Sequence, residues 1–167
     1  GFNTVDMAQL SESGNLLTNV LMLIGGSPGS TAGGIKTTTV AVLLLSTFAS
    51  GRGSTRVHAF RYSIDRDTIR QANSILLTYL GMSTAAILAI CCLDPVSLKA
   101  TMFEVNSAIA TVGLSLGVTP ALSAPSHIIL ILLMYAGRIG GLTFVLLFAQ
   151  RRSDPPLDRP SGKLLIG

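Results

Sequence analysis

The stretch from Thr111 to Gly117 combines residue types that suit the binding of a cation by main-chain carbonyl groups. Its residues are small or aliphatic, none is charged, and it follows a short helical pattern that ends at Ala110 in an apolar part of the chain. A non-helical backbone at membrane depth is tolerated only where protein or a water-filled cavity surrounds it, and its unpaired carbonyls can then act as ligands. Gly113 can adopt the positive φ that turns a carbonyl toward an axis. The stretch therefore indicates ion coordination without a covalent step.

The triplet Thr111-Val112-Gly113 resembles the signature of potassium-channel filters, in which carbonyl oxygens replace the water shell of the ion. An ordinary turn between two buried helices is the alternative, and it stays open at this point. Thr101 followed by Glu104 has the pattern of a capping box and predicts a pore helix over 101–110. The carboxyl end of that helix, with its partial negative charge, would face the cation.

A glycine-rich loop interrupts the first apolar segment and allows two interpretations. Its residues are Gly25, Gly26, Ser27, Pro28, Gly29, Ser30, Thr31, Ala32, Gly33 and Gly34. A phosphate-binding loop of the form G-x-x-x-x-G-K-[ST] is disfavoured, because Ile35 separates Gly34 from Lys36 and no strand pattern precedes the loop. Inside a membrane helix, the same glycines would let the backbone lie across a pore, with Lys36 near the cation path. This second interpretation predicts a gate. A kinked helix whose Lys36 reaches the membrane surface is the alternative.

Hydroxyl groups are the donors that we expect to pair the free backbone groups of this loop. They belong to Ser27, Ser30, Thr31, Thr37 and Thr38.

Arg138 lies in the middle of the last apolar segment, where an arginine costs about 2.5–3.5 kcal/mol on insertion scales. It should therefore have a partner, and we expect its guanidinium to donate hydrogen bonds to carbonyls of the glycine-rich loop. An arginine that reaches the lipid headgroups from a tilted helix is the alternative. Gly137 and Gly141 form a GxxxG pair, which indicates a helix-packing surface rather than a site.

Composition indicates a membrane protein. The 167 residues are 49% hydrophobic and 12% charged, with a mean hydropathy of +0.59, whereas charged residues approach a quarter in soluble domains. The net charge of +4 does not indicate nucleic-acid binding, because the basic residues lie between apolar segments, as positively charged cytoplasmic loops do. The only cysteines, Cys91 and Cys92, are adjacent, so neither a disulfide framework nor a cysteine metal site is expected.

Apolar periodicity divides the chain into elements that would position these residues. One membrane crossing over 14–50 is broken by the glycine-rich loop, and a basic polar link follows over 51–67. An outer helix spans 68–92, the pore helix and filter occupy 101–117, and an inner helix runs over 126–150. A polar tail over 151–167 completes the chain.

An internal repeat relates the two halves. A shift of 112 positions superimposes identical residues without a gap, among them Gly1 on Gly113, Leu10 on Leu122, Ser11 on Ser123, Met22 on Met134, and Gly25 on Gly137. We therefore interpret the chain as parts of two copies of one unit, in which an outer helix, a pore helix with its filter, and an inner helix follow one another. The first copy enters the chain at Gly1.

Four motifs in this order carry a family resemblance: Gly1-Phe2-Asn3-Thr4, the loop GGSPGSTAGGIKTTT, the Thr-Val-Gly triplet, and Gly137-Arg138-Ile139-Gly140-Gly141. Together they resemble the Trk/Ktr/HKT superfamily of cation transporters, and most closely its KtrB-type membrane subunit. The resemblance implies an all-α membrane protein of four pore repeats. This chain would hold the end of the third repeat (1–50) and all of the fourth (68–150).

The resemblance also implies how the site works. Potassium would pass through the filter, bound by carbonyls of Gly1, Phe2, Asn3, Thr111, Val112, Gly113 and Leu114. The loop Gly25–Gly34 with Lys36 and Arg138 would form the gate.

For the whole protein, the resemblance implies a multi-pass protein of the bacterial cytoplasmic membrane, in contact with lipid, that forms a homodimer. A KtrA/TrkA-like ring would bind nucleotide and regulate it, with the 51–67 link and the tail as contacts, and this chain would need no cofactor. Three alternatives remain: a sodium-selective transporter, a purely structural membrane subunit, and a membrane-bound nucleotide hydrolase.

Overall fold

A computed structural model describes residues 1–53, 57–59 and 62–140. These ranges contain five α-helices, two short 3-10 turns and one antiparallel hairpin. The helices are α1 (Glu12–Leu23), α2 (Thr37–Gly51), α3 (Arg66–Leu93), α4 (Leu98–Ile109) and α5 (Ala124–Ile139), and the strands are β1 (Val57–Ala59) and β2 (Tyr62–Ile64). Helix α5 begins at Ala124 and ends at Ile139, before Gly140 with a φ of 99°, so the predicted inner helix over 126–150 is wrong at its start and at Gly140. Its residues 141–150, which include Gly141, and the predicted tail over 151–167 lie outside the described residues.

The hairpin lies in the segment predicted to be a polar link, so the described chain is mostly helical rather than purely α-helical. Val57 of β1 pairs with Ile64 of β2, and β-branched residues at these positions favour an extended backbone. The predicted link contained no such element.

The glycine-rich loop begins and ends at residues that pair with each other. Ile24 and Ile35 pair in parallel, and the Gly25 amide donates to the Ile35 carbonyl at 2.7 Å. The Ile35 amide donates in turn to the Leu23 carbonyl at 3.0 Å, and the Thr37 amide to the Gly26 carbonyl at 3.2 Å. These bonds form a closed neck between the end of α1 and the start of α2. The glycine-rich loop is therefore an excursion between α1 and α2 whose two ends are bonded to each other.

Helix α3 is the one helix in the described ranges that is long and apolar enough to cross a membrane by itself; α2 and α5 are shorter apolar helices. The Asp65 side chain caps the first turn of α3, and Asp94 follows the last residue of α3. Its buried residues recur every three to seven positions and so share one face: Ala72, Tyr79, Ser83, Ala86 and Ile90. That face packs against α4 and α5.

Helix α4 is the most enclosed element, with nine of its twelve residues buried among α1, α3 and α5. The predicted start at Thr101 is wrong, because Ser97 is the N-cap and its hydroxyl accepts from the Ala100 amide. Thr101 instead donates to the Ser97 carbonyl at 3.2 Å. The capping box fails because a better-placed serine starts the helix one turn earlier, which frees Glu104 for other partners.

The 112-residue offset is present in the element boundaries. A 3-10 turn covers Met7–Gln9 and another covers Thr119–Ala121. Ser11 and Ser123 are the N-caps of the helices that follow these turns, α1 and α5. Each helix thus begins after the same short turn, at equivalent positions of the two halves.

Candidate functional site

The backbone changes direction where α4 ends. The Thr111 amide donates to the Ala108 carbonyl and the Val112 amide to the Ser107 carbonyl, which closes the last turn of the helix. Thr111 and Gly113 then adopt positive φ values of 54° and 88°. Such values are uncommon for a β-branched residue such as threonine.

The carbonyls that leave this turn accept no hydrogen bond within the described parts of the chain. They belong to Thr111, Val112, Gly113 and Leu114, and the same holds for the carbonyls of Gly1, Phe2 and Asn3. None of these residues is buried, so their carbonyl oxygens are open to solvent or to a cation.

The two segments predicted to bind ions lie against each other. A Cβ at Gly1 would lie 3.0 Å from the Val112 oxygen and 3.1 Å from the Gly113 oxygen, and a Cβ at Gly113 would lie 3.5 Å from the Cα of Gly1. Backbone therefore meets backbone with no side chain between. The side chain of Phe2 is exposed, and that of Asn3 donates to the Val5 carbonyl at 2.7 Å.

The glycine-rich loop reaches the filter-like stretch through Gly33. The Gly33 amide donates to the Thr111 hydroxyl at 3.0 Å, and a Cβ at Gly33 would lie 2.8 Å from the Ala110 carbonyl oxygen. Only a residue without a side chain fits here. A cavity of about 470 Å³ lies between the end of α1, the loop and the stretch from Ala110 to Leu114.

Two cationic side chains hold the outer part of the loop. The Lys36 ammonium donates to the carbonyls of Ser30 (3.3 Å) and Ala32 (2.5 Å), and the Arg138 guanidinium donates to the carbonyl of Thr31. The expected bond from Arg138 to a loop carbonyl is thus present. Lys36 donates to carbonyl oxygens of its own loop. In a phosphate-binding loop, by contrast, the backbone amides and the lysine would both face the anion.

The loop folds tightly on itself at its base. A Cβ at Gly25 would lie 2.0 Å from the Gly33 carbonyl oxygen, and one at Gly26 would lie 2.5 Å from the Ser30 hydroxyl oxygen. Ser27, Pro28 and Gly29 form its exposed tip, while Gly33 and Gly34 are buried.

The predicted role of the loop hydroxyls is wrong for the described residues. The side-chain hydrogen bonds that hold the loop come from Lys36, Arg138 and Thr111. The loop's own serine and threonine side chains make none of these bonds. A charged donor makes a stronger bond to a carbonyl than a hydroxyl does.

Glu104 is a site residue that the sequence interpretation misassigned. Its Oε1 accepts from the Ser115 hydroxyl at 2.5 Å and from the Leu116 amide at 3.1 Å, and its Oε2 accepts from the Thr119 hydroxyl at 2.8 Å. The residue is buried. An acidic residue on a predicted apolar helix was the available signal, because a carboxylate without close donors is costly there.

Buried amides join α1, α3 and α4 behind the site. The Asn106 amide nitrogen donates to the Asn19 oxygen at 3.0 Å, and the Ser83 hydroxyl donates to the Asn106 oxygen at 2.8 Å. Asn19 donates in turn to the Asn15 carbonyl at 3.1 Å. Sequence analysis assigned these residues no role, because the network forms only after the helices pack.

Asp94 anchors the start of α5 just outside the long helix α3. It accepts from the Ser126 hydroxyl at 2.5 Å and from the amide and hydroxyl of Ser123. The Ser126 hydrogen bond lowers the pKa of Asp94 below its ordinary value; burial opposes this, and the bonds from Ser123 reinforce it. The carboxylate thus substitutes for a side-chain cap on α5.

No cluster of three or more histidine, cysteine, aspartate or glutamate residues that could hold a metal occurs in the described ranges.

The chain matches a family of known proteins along most of its length. The cation transport protein family TrkH matches residues 1–155. The potassium/sodium uptake protein NtpJ of Enterococcus hirae is 36% identical over 173 aligned residues, which cover 100% of this chain and 38% of that protein. The Ktr system potassium uptake protein B of Bacillus subtilis is 37% identical over 167 residues, which cover 100% of this chain and 37% of that protein. The protein of the same name from Vibrio alginolyticus is 37% identical over 168 residues, with 100% and 36% coverage. The chain spans little more than a third of the length of these relatives.

Proposed function

The chain belongs to the TrkH family of cation transport proteins, and from that premise we propose that it forms part of the ion path of a potassium uptake protein. Members of this family are cation transporters and not enzymes. The ion is held by main-chain carbonyls of Gly1–Asn3 and Thr111–Leu114, without a resident cofactor.

The main support for this proposal is the close backbone contact of Gly1 with Val112 and Gly113. Two segments 112 positions apart in the sequence present unpaired carbonyls with no side chain between them. Carbonyl rings of this kind replace the hydration shell of a potassium ion in channels. In the whole protein, two further repeats would complete the ring around a single axis.

The glycine-rich loop is the gate in this proposal. Support comes from its bond to Thr111 and from the cavity of about 470 Å³ that it shares with the filter-like stretch. Lys36 and Arg138 fix three consecutive loop carbonyls. Release of these bonds would let the loop move out of the ion path.

The whole protein would be a multi-pass protein of the bacterial cytoplasmic membrane, with lipid around it and a second copy beside it. Relatives named as parts of a Ktr system support partner subunits for this chain. We propose a cytoplasmic nucleotide-binding ring as that partner. The 51–67 link and the tail over 151–167 would contact it.

Rubidium uptake tests the proposal. The complete parent protein is produced in cells that lack their own potassium uptake, and wild type is compared with Gly113→Asp and Gly53→Asp. Gly53 also has a positive φ, 67°, but no atom of the described residues lies within 4 Å of the position of its Cβ. Gly53→Asp therefore measures the effect of the same substitution at a positive-φ glycine away from the filter. We expect uptake by wild type and Gly53→Asp, and none by Gly113→Asp at equal membrane abundance.

Equal uptake by both variants would contradict the filter assignment and favour a structural subunit. Sodium is the competing ion, because the Enterococcus hirae relative is named for potassium and sodium. Competition of each ion with rubidium decides between them, and potassium should inhibit at the lower concentration.

A further inference from the structure

Glu104 directs its carboxylate toward the segment that follows the filter-like stretch. Its three donors, Ser115, Leu116 and Thr119, all belong to that segment. The Ser115 hydroxyl extends the contact, because it also accepts from the Gly117 amide at 2.8 Å. One carboxylate thus fixes the conformation of residues 115–119.

This contact holds the filter-like stretch at both ends. Its first residue, Thr111, is fixed by the last turn of α4. Its last residue, Leu114, precedes two residues that bond to Glu104, which lies on the same helix about two turns before Thr111. The carbonyls of Val112, Gly113 and Leu114 therefore lie between two attachments to one rigid element.

The bonds are strong for a buried site. Charge-assisted hydrogen bonds are shorter and stronger than neutral ones, and those from Ser115 and Thr119 measure 2.5 and 2.8 Å. Glu104 is only 6% exposed. A carboxylate buried this far is retained where its hydrogen bonds compensate for the loss of water.

We propose that Glu104 is a positioning residue of the ion path: it sets the spacing of the filter carbonyls and thereby the preference of the site for one alkali cation over another. The proposal rests on the function proposed above. It assigns no contact between the carboxylate and the ion. Selectivity between alkali cations depends on the size of the carbonyl cage or on the number and field strength of its carbonyls, and the contact with Glu104 fixes where those carbonyls lie.

Three single substitutions in the complete parent protein test this role. Glu104→Gln keeps one acceptor oxygen and the length of the side chain. Thr119→Val removes one donor with little change in volume. Thr101→Val is the matched control, since Thr101 is a buried threonine whose hydroxyl, among the described residues, bonds only to the carbonyl of the N-cap Ser97 of the same helix.

Rubidium uptake is measured for each variant, with its KM, its maximal rate and its inhibition by sodium. We expect Glu104→Gln and Thr119→Val to weaken the preference for rubidium over sodium by about tenfold, because one hydrogen bond to a charged group contributes roughly that factor to an equilibrium. Thr101→Val should keep the wild-type preference. The combined Glu104→Gln and Thr119→Val variant should lose less than the product of the two single effects, because both remove the same contact.

The outcomes separate this inference from the proposed function. Absence of rubidium uptake by wild type would refute the proposed function, and this inference with it. Uptake by all variants with an unchanged rubidium-to-sodium preference would overturn this inference alone. An equal change in Thr101→Val would also overturn it, because a loss of helix stability would then explain the effect. If Glu104→Gln does not reach the membrane, the rubidium-to-sodium preference of Thr119→Val tests the same contact.

Discussion

Replacing Gly137 with alanine tests how closely α5 must approach the end of α4. A Cβ at Gly137 would lie 1.9 Å from the carbonyl oxygen of Ile109 and 2.8 Å from its carbonyl carbon. Both atoms belong to backbone, which cannot rotate away as a side chain can. The two helices must separate by more than about 1 Å to restore an ordinary contact distance.

The expected cost follows from two opposing terms. Forcing an extra methyl group into a close-packed interface costs about 1–3 kcal/mol, while alanine in place of glycine inside a helix recovers about 0.5–1 kcal/mol. Because the conflict is with backbone, we expect the upper part of the range and a net destabilisation of about 2 kcal/mol. Such a loss lowers Tm by a few degrees, because the shift per kcal/mol falls with protein size and is already only about 2–4 °C for 150–250 residues.

Function should suffer more than stability. Arg138 follows Gly137 directly and donates to the Thr31 carbonyl of the loop, so a shift of α5 moves the guanidinium away from its acceptor. The assay is thermal unfolding of the purified parent protein in detergent, together with rubidium uptake in cells. Both should fall for Gly137→Ala.

Gly81→Ala is the matched control. Gly81 lies inside α3, and no described atom lies within 4 Å of the position of its Cβ. This variant should match or slightly exceed wild type in Tm and keep full uptake. If Gly137→Ala behaves like Gly81→Ala in both assays, α5 and α4 do not require the close backbone contact, and the reasoning is refuted.

Two further predictions concern contacts that hold the loop and α5. Arg138→Met removes the bond to the Thr31 carbonyl, so rubidium efflux from loaded cells should rise while membrane abundance stays constant; unchanged efflux and unchanged regulation would contradict the role of Arg138 in gating. Asp94→Asn should lower Tm near pH 7. Because the pKa of Asp94 is lowered in the folded protein, its contribution to stability is present above its ordinary value of 3.8 and lost as the pH falls through the lowered value. The difference in Tm from wild type should therefore shrink below about pH 4, and a constant difference would contradict this.

The 112-residue offset was predictable because it depends on local sequence signals. Serine caps and short turns depend on neighbouring residues, so the offset that relates Ser11 to Ser123 survives in the helix boundaries. The break in the first crossing was predictable for the same reason, since glycine and proline disrupt a helix wherever it lies. The closed neck at Ile24 and Ile35 was not, because a bond between separated residues leaves no periodic signal.

Glu104 shows where prediction from sequence failed. The pattern of Thr101 and Glu104 matches a capping box, and nothing local distinguishes it from a chance match. Ser97 starts the helix instead, and the carboxylate finds its donors between 11 and 15 residues later in the chain. Contacts of this kind are decided by packing, which a single sequence does not encode in its spacing. Arg138 was easier, because a cation in an apolar segment requires an acceptor and the loop was the nearest source of free carbonyls.

The closed neck of the loop has a kinetic consequence. Bonds between Leu23, Gly25, Ile35 and their neighbours hold α1 and α2 in register whatever the loop beyond them does. Residues 27–32, which are exposed and lie beyond the neck, can therefore rearrange without any helix moving. Loop motions occur in nanoseconds to microseconds, whereas collective helix motions take microseconds to milliseconds. If the loop gates the ion path as proposed, its movement would belong to the faster class, and its barrier would be set by the bonds from Lys36 and Arg138 rather than by repacking of the helices.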